Sequence, residues 1–99
     1  MTINKTREGD KMTAKLGGRI DVKGAAELSA ALTGELEGLS ELLLDFTDVE
    51  YLASAGLRVI LMAQDHFEQT GGKLTIRGCN SVVVEVFEIT GFSEFLNLE

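Results

Sequence analysis

Ser54 is the residue of this chain best placed for chemistry at a side chain. It stands in Leu52-Ala53-Ser54-Ala55-Gly56-Leu57-Arg58, where a buried strand should give way to a helix. A serine at a helix start accepts a hydrogen bond from one of the unpaired N–H groups there. Those N–H groups and the positive end of the helix dipole also favour a phosphate. Capping alone and modification of the hydroxyl are therefore both open to Ser54. Ala55 and Gly56 add almost no bulk, so a large partner or a nucleotide should approach the hydroxyl closely.

A catalytic serine would need a base. The segment has part of the outline of the Gly-x-Ser-x-Gly nucleophile elbow but lacks its first glycine. The single histidine, His66, lies twelve residues further along the same helical stretch. At about 1.5 Å per residue this is ~18 Å, and it points to another side. A general base must come within about 3 Å of its proton donor. No Walker-type phosphate loop is present either, and the chain is expected not to be an enzyme. Asp45 and Asp48 lack a third ligand at metal-binding spacing, and turn chemistry accounts for Asp48. Cys79 is the only cysteine, so no internal disulfide or zinc cluster is available, and it is expected to be a partly buried loop residue. No metal and no cofactor are expected.

The elements that must position Ser54 follow from pattern. Thr2 to Arg7 and Lys11 to Leu16 flank Glu8-Gly9-Asp10 and predict an antiparallel hairpin. Ala25, Leu28, Ala31/Leu32 and Leu36 recur at helical spacing, with Gly38 placed to end that helix. Leu42-Leu43-Leu44 with Phe46 predicts a buried strand. A second helix is expected from about Ser54 to Thr70, stopped by Gly71-Gly72, and a strand around Leu74 and Ile76. Ser81 to Thr90 carries strand-favouring valines at helical spacing. With Ser81 to cap it and Gly91 to end it, a helix is expected. The order β-β-α-β-α-β-α implies a sheet with parallel members and right-handed crossovers.

At roughly 100° per residue, Ser54, Arg58, Leu61 and Asp65 share one stripe, while Leu57, Ile60, Gln64 and Phe67 face the sheet. Leu61, with Met62 beside the stripe, is either the edge of the core or part of a contact surface running from Ser54.

Ninety-nine residues, 10.7 kDa and 44% apolar composition predict one domain with a real core. Sixteen acidic against nine basic residues give a charge of −7, which argues against nucleic acid and anionic membranes as partners. Met1 to Arg7 is too polar for a signal peptide, and Val59 to Ala63, the longest apolar run, is far too short to span a bilayer. A cytoplasmic protein without membrane insertion is expected.

Over nearly its whole length the chain resembles the STAS-domain anti-sigma-factor antagonists, or anti-anti-sigma factors. The resemblance rests on Gly18-Arg19-Ile20-Asp21, Leu44-Asp45-Phe46-Thr47-Asp48-Val49, Ser54-Ala55-Gly56-Leu57, Gly71-Gly72-Lys73-Leu74 and Val86-Phe87-Glu88-Ile89-Thr90-Gly91-Phe92, in that order. It implies an α/β fold, a STAS-like single domain over residues 1–99. Its sheet would be mixed and four- or five-stranded, with the hairpin at one end and helices packed against it. It also implies a bacterial partner switch. The unphosphorylated antagonist binds an anti-sigma factor serine kinase and frees the sigma factor, and phosphorylation of a serine at the second helix ends the complex. A PP2C-type phosphatase resets the switch. The family motif is Asp-Ser-(Ser or Thr)-Gly-Leu, which places the acceptor at Ser54, with Ala53 in place of the Asp and Ala55 in place of the second hydroxyl residue. The resemblance places Arg19 and Asp21 beside the acceptor. The expected partner-binding set is thus Arg19, Asp21, Ala53, Ser54, Ala55, Gly56, Leu57, Arg58, Leu61 and Met62. Since the fold also serves as an accessory subunit of some lipid-transport ATPase complexes, without phosphorylation, that role is the alternative expectation.

Overall fold

Gly9-Asp10 forms a two-residue turn in the computed structural model, which describes residues 1–99. The turn pairs β1 (Thr2–Glu8) antiparallel with β2 (Lys11–Ile20), as the sequence predicts. The chain continues through α1 (Val22–Leu32), β3 (Glu41–Leu52), α2 (Ser54–Thr70), β4 (Lys73–Arg77) and α3 (Ser81–Ile89). A 3-10 turn over Phe92–Glu94 and the short β5 (Asn97–Leu98) complete it. The five strands lie in sequence order, β1-β2-β3-β4-β5, and every pairing after the first is parallel.

The pleat sorts the two faces of the sheet. Met12, Ala14 and Leu16 on β2, Leu42, Leu44 and Phe46 on β3, and Leu74 and Ile76 on β4 are buried. They form one core with Leu28 and Leu32 of α1, Ile60 and Phe67 of α2, and Val83 and Phe87 of α3. The Phe46 and Phe87 rings lie 6.4 Å apart. The alternate positions Lys11, Glu41, Lys73 and Arg77 are charged, and ion pairs at 3.3 Å join Lys11 to Glu41 and Arg77 to Asp45. No helix is long and apolar enough to cross a membrane.

Three expectations need correction. The first helix ends at Leu32, not near Leu36. Thr33 closes it by donating its N–H and its hydroxyl to the Ser29 carbonyl. Gly34 then takes a left-handed conformation, φ +79°, that stops further helix. Leu36 is nevertheless buried, because the turn folds back onto the core. Next, β3 runs six residues past Phe46, to Leu52, where β2 follows it as far as Ile20. Finally, the cap of α3 is Asn80, whose side chain accepts the Val83 N–H at 2.8 Å; Ser81 is already helical.

Candidate functional site

Because β2, β3 and β4 run parallel and each leads into a helix, the starts of α1, α2 and α3 gather at one end of the sheet. Each start is fastened there. Asp21 caps α1 by accepting the Gly24 N–H at 2.8 Å. This bond is the main reason its carboxyl titrates below the ordinary range; the neighbouring Arg19 adds a smaller pull in the same direction. The Asn80 amide donates to the Val49 carbonyl at 3.1 Å and holds the start of α3 against β3. The Ala53 N–H donates to the Ile20 carbonyl at 2.8 Å and joins the end of β2 to the start of α2.

Ser54 departs from the capping role expected for it. The cap position of α2 belongs to Ala53, which offers no side-chain hydrogen bond, and Ser54 is the first helical residue. Its side chain is exposed, and the hydroxyl is left at an uncapped helix mouth. Arg58, one turn on, is exposed too.

The expected contact set divides into two groups. Arg19, Asp21, Ser54, Arg58 and Met62 are exposed, and Ala53, Ala55 and Leu61 are half-buried. Gly56 and Leu57 are buried and do not face a partner. A Cβ on Gly56 would lie 2.5 Å from Leu52 Cδ1 and 2.6 Å from Ile20 Cγ2. Gly56 therefore serves the inward seating of α2 on the ends of β2 and β3, not the approach of a large partner. Leu57 seats the same turn in the core.

Two features escape a reading of the sequence. Arg19 pairs in register with Tyr51, and its guanidinium sits over the Tyr51 ring at 4.5 Å. That geometry favours attraction to the ring face and steadies a cation on the rim of this end of the sheet. The register irregularities beside Gly17 and Gly18 that align Arg19 with Tyr51 carry no sequence signal. The second feature is Asn80, whose amide bonds to the Val49 and Glu50 carbonyls need the fold to bring β3 alongside.

The remaining polar candidates are engaged elsewhere. Asp45 accepts the Thr47 hydroxyl at 2.6 Å and the Thr47 N–H at 3.0 Å, and these bonds, with Arg77, hold its carboxyl below the usual range. Asp48 lies 3.7 Å from the Lys15 ammonium. His66 Nε2 is 3.1 Å from the Leu36 carbonyl oxygen. Cys79 is half-buried, and burial pushes its thiol up to about 11, which leaves little reactive thiolate.

The pattern of the family described as "Mlab, STAS domain" matches residues 3–98. BtrV of Bordetella bronchiseptica is 35% identical over 82 residues, which is 82% of this chain and 71% of that protein. The anti-sigma-B factor antagonist of Listeria monocytogenes is 31% identical over 98 residues, covering 96% of this chain and 84% of the relative. Among solved structures, the unphosphorylated anti-sigma factor antagonist SpoIIAA superposes with a TM-score of 0.85 at 14% identity, covering 99% of this chain and 88% of that one. The phosphorylated form of the Bacillus cell fate determinant SpoIIAA gives 0.77 at 13% identity, covering 99% and 91%. At these identities the structures speak for the fold; the sequence relatives carry the family.

Proposed function

The chain belongs to the STAS-domain family, and from that premise we propose that it is an anti-sigma-factor antagonist gated by phosphorylation at Ser54. Unphosphorylated, it binds an anti-sigma factor that is also a serine kinase, and the sigma factor is released. Phosphorylated, it lets go, and a PP2C-type phosphatase restores it. It acts as a non-enzymatic binding module in the cytoplasm. The observation that carries this reading is the exposed Ser54 side chain at the uncapped start of α2. That SpoIIAA exists in both phosphorylation states supports it.

The physical account of the switch is local. Phosphate brings about −1.5 to −2 charges and three acceptor oxygens. The start of α2 accommodates them, since its N–H groups lack a side-chain acceptor. A partner seated over Ser54 meets added bulk and a charge that it must desolvate. Leaving such a charge unpaired costs about 3–5 kcal/mol, whereas about 1.4 kcal/mol already changes affinity tenfold. Arg19 and Arg58 border the site and favour an acidic rim on the partner.

The test is phosphorylation by the purified cognate kinase with ATP, read by intact mass and peptide mapping. One phosphate on Ser54 is expected, and none on Ser54→Ala. A wild-type chain that stays unmodified, or carries its phosphate elsewhere, contradicts the gate. Ala53 and Ala55 favour a second reading, an accessory subunit of a lipid-transport ATPase complex that needs no phosphate. In that case the chain co-purifies with the ATPase, and Ser54→Asp leaves the complex intact.

A further inference from the structure

Helix α3 carries two apolar stripes, one buried in the core and one that packs against the core only in part and leaves Val82 and Ile89 exposed. Val83 and Phe87 are fully buried against the sheet. Val82, Val86 and Ile89, at spacings of four and three, form the second stripe, turned from the first by about 110° at roughly 100° per residue. Val82 is 51% exposed and Ile89 is 76% exposed, with Val86 half-buried between them. The turn after the helix adds Phe92 and Phe95, whose rings lie 5.2 Å apart, and Phe95 is 45% exposed. Single exposed apolar residues need no explanation, but an aligned row that ends in an aromatic pair marks an interaction surface.

Charge identifies what fits it. From Gly78 to Glu99 there are four carboxylate side chains, Glu85, Glu88, Glu94 and Glu99, and no Lys or Arg. Glu85 lies beside the stripe on α3 and Glu94 lies between the two phenylalanines. A second copy would set Glu85 and Glu94 against their own kind, and an anionic lipid surface is repelled in the same way. A protein segment with its own apolar stripe bordered by Lys and Arg is complementary on both counts.

We propose that the Val82-Val86-Ile89 stripe of α3, together with Phe92 and Phe95, is a docking face for a basic amphipathic helix of a partner protein. This face belongs to α3 and the turn after it, whereas the switch belongs to the start of α2. The proposal rests on the residues of this face and not on the phosphorylation of Ser54.

The test uses the full chain, isotope-labelled, titrated with a synthetic amphipathic helix of leucine and lysine. The same pattern built from leucine and glutamate serves as control. Saturable amide shifts confined to α3 and Phe92–Phe95 are expected with the basic peptide, and none with the acidic one. Val82→Ser and Ile89→Ser should each weaken binding on the order of tenfold with thermal stability unchanged, since both side chains face water. Shifts scattered over other carboxylates, or serine variants that bind as well as the wild type, overturn the proposal. So do concentration-dependent shifts at these amides without peptide, which assign the face to a second copy. Shifts there with neutral phosphatidylcholine vesicles assign it to lipid and overturn the proposal as well.

Discussion

Ala53 and Gly56 bracket the acceptor, and each shows what its position asks of a residue. Ala53 occupies the cap of α2 with no side-chain acceptor to offer. In the family motif this position holds an aspartate, which is among the best caps. Ala53→Asp is therefore expected to stabilise the chain by about 1 kcal/mol, read as a higher urea midpoint with an unchanged slope. Gly56→Ala goes the other way. Its Cβ would enter the space of Leu52 and Ile20, and overpacking of this kind costs about 1–3 kcal/mol. The same urea titration measures it. The motif was legible at this scale, but its direction was not. Spacing marks Ala55 and Gly56 as small, and it cannot say that Gly56 is small for the core.

Helix caps decide how the three helix starts are held at one end of the sheet. Asn80→Ala removes both the cap on Val83 and the link to the Val49 carbonyl. A loss of about 1 kcal/mol or more is expected, while Ser81→Ala should change little. Paired thermal melts of the two variants check the contrast. The helices themselves were visible in the apolar spacing, as was the hairpin in its Gly-Asp turn. Their ends were harder, because periodicity reports burial, not helix. Leu36 continues the α1 pattern and is buried from a turn. Asn80 and Ser81 are both capping types, and the choice of Asn80 goes with its bond to the Val49 carbonyl of β3. The outer half of β3 was hidden for another reason: β4 pairs only with Glu41–Asp45, so Thr47–Leu52 is partly solvated and rich in polar residues.

For the whole molecule, strand order was beyond the sequence, and β5 at two residues is too short to carry a pattern. Acid stability is a property of the whole fold and follows from two carboxylates. Asp21 and Asp45 both titrate lower in the folded chain than their ordinary value, through the Gly24 N–H and through Thr47 respectively. A carboxyl lowered on folding adds stability that is complete above its unfolded pKa, about 3.9. That stability is lost as pH falls through the folded value. Unfolding free energy should hold down to about pH 5 and decline below about pH 4. Asp45→Asn should flatten that decline, as read by urea titrations across the range; an equally steep decline would remove Asp45 from the account.

The gate at Ser54 is tested most directly by measuring the affinity of the full chain for its anti-sigma factor before and after stoichiometric phosphorylation, with a thermal melt of each form. A fall of at least about tenfold in affinity, with the melting temperature of the free chain unchanged or raised, is the predicted result. Equal affinities of the two forms, or a loss of binding that follows from unfolding, would contradict it.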